Sequence, residues 1–196
     1  EESIFYKISL FCNVKEDCVI ENRTLPNLYE APLMLEKSGF SNVVCRELSI
    51  DAPKPDLADW EEMVERIQNR SEEVHIGLVG KYVKLHDAYL SVAEAMSHAG
   101  YEQNTFVKIR WIDSEGLTKE TVHDILKDLD GLIVPGGFGN RGIEGMILSA
   151  EYARENHIPY FGICLGMQIA VIEFARNVLG IRDANSGEFD EQCAHK

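Results

Sequence analysis

IPYFGICLGMQIAVIEFARNVL, residues 158–179, decides the fold. Its first six residues predict a short buried strand, and the residues from Leu165 onward predict an apolar helix. Cys164 lies at the turn between them, with Gly162 and Gly166 on either side. This spacing is the glycine-x-nucleophile-x-glycine pattern of a tight strand-to-helix turn, with cysteine as the nucleophile. The alternative is a buried structural cysteine between two packing glycines, and the strand before and the helix after favour the first interpretation.

A cysteine in this position has the surroundings that a nucleophile needs. The helix that follows points its N-terminal N–H groups at Cys164, which favours the thiolate. The N–H of Leu165 is then placed to hold an oxyanion. Residues 135–142, PGGFGNRG, form a glycine-rich loop between another predicted strand and helix, and the N–H of Gly137 could be a second donor. The loop is not a phosphate-binding loop, because no G-K-[ST] follows it.

Strands and helices alternate regularly in the second part of the chain. The predicted strands cover residues 74–79, 106–112, 131–134 and 158–163. The predicted helices are one capped by Asp87 and ended by Gly100, and three over 118–129, 142–156 and 165–179. Four consecutive βα units predict an α/β fold, a parallel sheet with helices on both faces. In such sheets the site lies at the carboxyl ends of the strands, where the glycine-rich loop and Cys164 both fall.

The first part of the chain has a different organisation. Residues 1–50 predict a small α/β segment with strands at 7–12 and 18–20, a helix over 26–38, and a further extended piece at 43–48. Residues 51–73 contain two prolines followed by an amphipathic helical pattern. We interpret them as a linker that carries a helix, with a second domain over residues 74–196.

Composition narrows the function classes. The chain of 196 residues has 19 Lys+Arg against 33 Asp+Glu, a formal net charge of −14, which argues against nucleic-acid binding. No apolar run is long enough to span a bilayer, and residues 1–3 lack the start of a signal peptide. The five scattered cysteines form no C-x-x-C pair. We therefore expect a cytoplasmic protein without a metal site or membrane contact.

Several motifs resemble a known family. GICLGMQ, residues 162–168, resembles the nucleophile motif of class I glutamine amidotransferases. The stretches VPGGFGNRGIEGM (134–146) and GLVGKYVKLHDAYLSV (77–92) are more similar to the CTP synthase branch of that family, and KISLFCNV (7–14) with YEAPLMLEKSGF (29–40) resembles the end of its synthase domain. The resemblance implies that 1–50 is the C-terminal end of the synthase (amidoligase) domain, 51–73 the linker, and 74–196 the N-terminal part of the glutamine amidotransferase domain.

Site residues follow from the resemblance position by position. It implies that Cys164 forms a glutamyl thioester and releases ammonia, and that Gly137 and Leu165 form the oxyanion hole. The glutamine-binding positions that it implies are Gly137, Leu165, Gly166, Met167, Gln168 and Glu188, with Glu188 gripping the α-amino group. Phe138 and Arg141 match the lid on which GTP acts. Lys81 and Tyr82 could face the same cleft, although a surface lysine and a core tyrosine are equally good interpretations.

The implied parent reaction is that of a ligase: UTP, ATP and glutamine give CTP, ADP, phosphate and glutamate. The resemblance implies ATP and Mg²⁺ as cofactors, GTP as activator and a homotetramer, with no nucleotide or metal ligand identifiable in this segment. The family's catalytic His-x-Glu pair and phosphate loop are not found in the 196 residues. We therefore expect this fragment to be incomplete for catalysis, with apolar surface and strand edges uncovered.

Two alternatives stay open at this point. One is another protein with a cysteine at the same kind of turn, such as a small stress-type hydrolase or a glyoxalase-like chain, against which the PGGFG loop and Gln168 count. The other is a non-catalytic interaction module that keeps the glutaminase fold without turnover.

Overall fold

The computed structural model describes residues 3–196 and divides the chain into two compact units, Glu1–Asn69 and Arg70–Lys196. Glu1 and Glu2, on which the expectation of no signal peptide partly depends, lie outside the described residues.

The first unit is helical over its described residues. Its helices are α1 (Ile4–Cys12), α2 (Ala31–Lys37), α3 (Phe40–Leu48) and α4 (Ala58–Gln68), with 3-10 turns at Glu16–Cys18 and Leu28–Glu30. The helices expected within 26–38 and 51–73 are confirmed. The prediction of a small α/β segment is wrong, because no strand occurs between residues 3 and 69: 7–12 and 43–48 lie in helices, and 18–20 is not a strand.

Local capping explains why these apolar, β-branched segments are helical. The Oγ of Ser3 accepts a hydrogen bond from the N–H of Tyr6, and Asn13 closes α1 in the left-handed conformation. Gly39 and Ser49 bracket α3 in the same conformation, at φ 81° and 54°. Caps are worth about 1 kcal/mol each, as much as the whole range of β propensity.

A parallel sheet of four strands forms the centre of the second unit, which confirms the predicted fold class. The strands are β1 (Glu72–Gly80), β2 (Thr105–Asp113), β3 (Gly131–Val134) and β4 (Tyr160–Gly162), in the order β2-β1-β3-β4. Ile76 of β1 lies opposite Ile109 of β2 and Gly131 of β3. The chain leaves β1 and β3 in opposite directions across the sheet, so their carboxyl ends open a crevice.

Helices cover the two faces of the sheet unequally. They are α5 (Leu90–Glu102), α6 (Val122–Leu126), α7 (Ile143–Glu155) and α8 (Leu165–Asn177). Val79, Leu132 and Val134 point into a large core with α6, α7 and α8. Leu78 points to the other face, into a smaller cluster with Met96 of α5. That smaller side includes an apolar cavity of about 420 Å³.

Three helices differ from the prediction at their ends: α6 covers only Val122–Leu126 of the predicted 118–129, α8 ends at Asn177 and not at 179, and α5 differs at both ends. Asp87 lies in a 3-10 turn (His86–Tyr89) before α5, and Tyr89 takes the N-cap position without a side-chain hydrogen bond. α5 continues past Gly100 to Glu102. Gly100 is there for packing, because a Cβ at this position would lie 3.0 Å from Cγ2 of Val107 on β2.

Apolar surface is exposed next to the edge strand β4, as the sequence predicts. Phe161 on β4 is 62% exposed. Met167, Val171 and Phe174 form an exposed apolar row on α8.

Candidate active site

Cys164 occupies a strained backbone position between β4 and α8. Its φ of 53° and ψ of −105° lie in a region that non-glycine residues rarely adopt. Such a conformation costs about 1–3 kcal/mol and persists only where the surroundings enforce it. The side chain is exposed and the thiol is free. The turn therefore presents a thiol to solvent at the N-terminus of a helix of 13 residues.

The flanking glycines allow this turn to form. A Cβ at Gly162 would lie 2.6 Å from the backbone N of Met167, and one at Gly166 would lie 2.8 Å from the carbonyl carbon of Val134. The first turn of α8 thus packs directly on the backbone of β3. Tyr160 adds a contact from β4, because its O–H donates to the carbonyl of Gly166 at 2.8 Å. Burial raises the pKa of the Tyr160 phenol, so this O–H stays a donor at neutral pH.

The glycine-rich loop after β3 lies against the same turn. A Cβ at Gly136 would be 3.7 Å from Cβ of Cys164, and one at Gly137 would be 3.3 Å from Cδ2 of Leu165. The N–H groups of Gly137 and Leu165 donate no hydrogen bond within residues 3–196. Two backbone donors are therefore free beside an exposed thiol. That combination can attack a carbonyl carbon and hold the negative oxygen that results.

Lys81, directly after β1, is buried against this loop with 3% exposure. Its Nζ donates to the carbonyl of Phe138 at 3.1 Å and to the carbonyl of Gly139. Burial lowers the pKa of the Lys81 ammonium, the charge of Arg141 lowers it further, and the charge of Glu188 opposes both. The interpretation of Lys81 as a surface lysine is wrong, and its neighbour Tyr82 is the more exposed of the two, at 38%.

Arg141 ties the end of the loop to β1 and to the turn after β2. Its NH2 group donates to the carbonyl of Lys81 at 2.8 Å, and its NH1 group pairs with Glu115. Phe138, at the tip of the loop, is 80% exposed. The loop is thus held at its base and open to solvent at its tip.

Glu188 is exposed in the segment after α8. The next residue, Phe189, brings this segment to the loop: its carbonyl accepts from Nδ2 of Asn140 at 3.2 Å, and its ring lies 5.9 Å from Nζ of Lys81. Of the predicted glutamine-binding positions on α8, Leu165 and Gly166 are buried, Gln168 is half-buried and Met167 is exposed.

Five of the six histidines have partners elsewhere. His75 contacts Glu73, His86 stacks on Trp111, and His195 contacts Asp183. Across residues 3–196 none of the six histidines hydrogen bonds to Cys164. That part of the chain also has no group of three or more His, Cys, Asp or Glu side chains that could hold a metal. Its helices include none that is both long and apolar enough to cross a bilayer.

Sequence reasoning missed the clamp formed by the buried Lys81 and the exposed Arg141. The signal that could have found it is the order of residues 77–81, a buried strand that ends in glycine and runs into a lysine. In parallel sheets such a side chain enters the crevice beside the next βα loop.

Comparisons with known proteins agree with this geometry. A family model described as glutamine amidotransferase class-I matches residues 84–195, and one described as CTP synthase N-terminus matches residues 1–50. The chain is 55% identical over 189 residues to CTP synthase of Listeria innocua and 57% identical over 185 residues to that of Ruminiclostridium cellulolyticum. These matches cover 96% and 94% of this chain but only 36% and 35% of the relatives, so the chain spans about a third of their length.

One solved structure is similar in both sequence and fold. It is the glutaminase domain of Trypanosoma brucei CTPS with bound acivicin, at 45% identity and a TM-score of 0.59. The similarity covers 62% of this chain and 48% of that one.

Proposed function

Because this chain belongs to the class-I glutamine amidotransferase family, we propose that it cleaves the side-chain amide of glutamine through a thioester on Cys164. The observation that carries the proposal is the turn itself. Cys164 is exposed at φ 53°, next to two free backbone N–H groups from different elements. Gly162 and Gly166 are adapted to this arrangement by close backbone packing, which a structural cysteine does not need.

The first chemical step is attack by sulfur on the amide carbon. The thiolate of Cys164 adds to the carbonyl carbon, and the electron pair of the C=O bond moves onto oxygen. The N–H groups of Gly137 and Leu165 donate to that oxygen. One such donor is worth about 100- to 1,000-fold in rate. The C–N bond breaks as the nitrogen takes up a proton from water and leaves as ammonia, which produces the thioester. The hydroxide that remains adds to the thioester carbon, the C–S bond breaks, and glutamate and the thiol are released.

The groups around the Cys164 thiol orient the glutamine substrate. We assign the α-amino group of glutamine to Glu188, whose carboxylate is exposed on the segment that reaches the glycine-rich loop. Gly166, Met167 and Gln168 line the start of α8 and contact the glutamine chain. Glutamine would then lie with its amide over Cys164 and its charged end toward Glu188.

The proposed proton transfers need a base, and within residues 3–196 none of the six histidines hydrogen bonds to Cys164. A cysteine nucleophile requires such a group for full turnover, both to protonate the leaving nitrogen and to activate water. We therefore propose that the isolated chain forms the thioester but turns over slowly. The competing interpretation, a non-catalytic module that only binds glutamine, has the same observation in its favour.

For a longer protein that contains this chain, we propose the CTP synthase reaction, after which its relatives are named. Residues 1–50 would be the end of a synthase domain, 51–73 a linker and 74–196 the first part of a glutaminase domain that delivers ammonia to UTP activated by ATP. The five cysteines are free thiols, which supports a reducing compartment such as the cytoplasm. ATP, Mg²⁺ and GTP belong to that proposed reaction, and Phe138 and Arg141 are the residues that match the lid on which GTP acts. A homotetramer remains part of the proposal.

The test is selective labelling. A chloroketone analogue of glutamine is incubated with the chain, and labelled peptides are mapped by mass spectrometry. We expect a single adduct on Cys164, lost in Cys164→Ala and slowed by added glutamine. Cys12, which is exposed but lies outside the site, is the matched control and should react only at the rate of a simple thiol. Equal labelling of all five cysteines would contradict the proposal.

Glutamine itself separates the two interpretations. A thioester predicts a burst of about one ammonia per chain followed by slow release. Binding without a burst favours the non-catalytic module. Rapid steady turnover would contradict the proposal that the isolated chain turns over slowly.

A further inference from the structure

Lys81 is a buried lysine at the end of β1 to which the proposed reaction gives no step. Its backbone is held from two sides. Its N–H donates to the O–H oxygen of Tyr89 at 3.2 Å, and its carbonyl accepts from Arg141 at 2.8 Å. Tyr89 is buried, and burial raises the pKa of its phenol. The start of the Lys81 side chain is therefore fixed by Tyr89 of the core and by Arg141 at the end of the glycine-rich loop.

The far end of the side chain grips the loop. Nζ donates to the carbonyls of Phe138 and Gly139, 57 and 58 positions further along the chain. The stem passes beneath Gly137, where a Cβ would be 3.4 Å from Cδ of Lys81 and 3.6 Å from its Cε. The same Cβ position would be 3.3 Å from Cδ2 of Leu165. Gly137 thus lies against both the lysine stem and the first residue of α8.

A loop of this composition needs such a clamp. Glycine has the largest conformational freedom of any residue, and the loop contains four. Its free N–H groups are useful as donors only if they already point at the substrate oxygen when the reaction begins. A buried ammonium suits the task because its hydrogen bonds to carbonyls are charge-assisted. Of its charged neighbours, Glu188 favours the ammonium and Arg141 opposes it.

We propose that Lys81 is the positioning residue of the oxyanion site: by holding the carbonyls of Phe138 and Gly139 and supporting Gly137, it fixes the Gly137 N–H in the direction of the reacting oxygen. The inference deepens the proposed function and rests on it for the chemical readout. Its structural content, that Lys81 restrains the loop, can be measured without any reaction.

The experiment compares Lys81→Met, Lys81→Arg and Lys84→Met in the full 196-residue chain. Methionine keeps the length and burial of the stem but donates nothing, and arginine restores the charge and the donors. Lys84 lies three residues away with a side chain that is 88% exposed, so its variant is a matched control. Amide hydrogen–deuterium exchange of peptides covering 136–141 reports the loop directly. Labelling of Cys164 by the chloroketone glutamine analogue reports the oxyanion geometry, and labelling by iodoacetamide reports only the thiol.

We expect Lys81→Met to speed exchange of the loop by about tenfold, the factor for one net hydrogen bond of roughly 1.4 kcal/mol. Chloroketone labelling should slow by about tenfold or more, while iodoacetamide labelling changes less than about twofold. Lys81→Arg should recover much of both effects, and Lys84→Met should match the unmodified chain. Should the methionine variant fail to fold, Lys81→Gln provides the same comparison with a shorter polar side chain.

Unchanged loop exchange in a folded Lys81→Met or Lys81→Gln chain would overturn the inference. So would equal slowing of both reagents, which would mean that Lys81 supports the fold in general. Failure of the proposed function is a separate result: the unmodified chain would then show no preference for the chloroketone at Cys164. If the unmodified chain shows no such preference and the loop nevertheless exchanges faster in Lys81→Met, Lys81 is a clamp of the loop and its role in the reaction is refuted.

Discussion

Gly166 offers the sharpest test of the packing that creates the turn at Cys164. In Gly166→Ala the new methyl carbon would lie 2.8 Å from the carbonyl carbon of Val134 and closer still to its oxygen. Carbon atoms in contact normally lie about 3.5 Å apart. The first turn of α8 would therefore have to move by about 0.7 Å or more away from β3. The carbon and the oxygen of Val134 that the new methyl group meets both belong to the backbone, so no side-chain rotation can relieve the clash.

The movement would disturb two fully packed side chains. Leu165 and Ile169 on α8 are 1% and 0% exposed, and strain of this kind in a core costs about 1–3 kcal/mol, sometimes more. We expect a loss at the upper end, about 3 kcal/mol, because the close contact is made to main-chain atoms. For a chain of this size that corresponds to a fall in Tm of roughly 6–12 °C.

Thermal and urea denaturation followed by circular dichroism would measure the loss. Gly116→Ala is the matched control, because nothing lies within 4 Å of a Cβ at that position, and it should change the free energy of unfolding by less than about 0.5 kcal/mol. If Gly166→Ala and Gly116→Ala unfold at the same temperature, the close approach of α8 to β3 does not explain the second glycine of the motif. A loss of chloroketone labelling at Cys164 without any loss of stability would also refute the reasoning.

Two further predictions concern ion pairs. Glu173 on α8 is 3% exposed and accepts hydrogen bonds from Nε and NH2 of Arg154 at 3.0 and 2.9 Å. Glu173→Gln should lower the free energy of unfolding by about 1–2 kcal/mol. An unchanged midpoint in urea denaturation would contradict this prediction. Hydrogen bonding to Arg46 holds the pKa of Asp17 below its usual range, and Arg46 and Lys15 do the same for Glu47. This stabilisation is present above the unfolded pKa values and is lost as pH falls through the lowered folded values, below about pH 4. Arg46→Gln should therefore lose less stability than the unmodified chain between about pH 5 and pH 2, and equal losses in urea titrations would exclude the effect.

The elements of the second unit could be predicted because burial leaves a mark on the sequence. β3 covers Gly131–Val134 as expected, since a strand buried on both faces is a continuous apolar run. The first unit was less predictable. α1 and α3 contain the same kinds of residue as a strand, and their helical state depends on end groups such as Ser3 and Gly39, whose effect of about 1 kcal/mol is comparable to propensity differences.

Cys164 and its two flanking glycines, the proposed nucleophile motif, were visible in the sequence because they lie within five consecutive residues. A nucleophile on a tight turn requires small residues at fixed offsets, and such a local steric requirement appears directly as a motif. The same holds for the glycine-rich loop, whose composition shows that backbone groups are available for a ligand.

Only the tertiary structure decided what surrounds that motif. The order of residues 77–81 indicates that Lys81 enters the crevice, but its side chain is buried because a loop 57 positions away covers it. Within residues 3–196 no histidine hydrogen bonds to Cys164. This too depends on how distant segments of the chain are arranged, since any of the six histidines could have been near Cys164 in space. The sequence by itself determines which small residues a tight turn contains, because those residues are neighbours along the chain. Contacts between distant segments depend instead on the strand order β2-β1-β3-β4, in which β1 and β3 bring Lys81 and the glycine-rich loop to the same crevice.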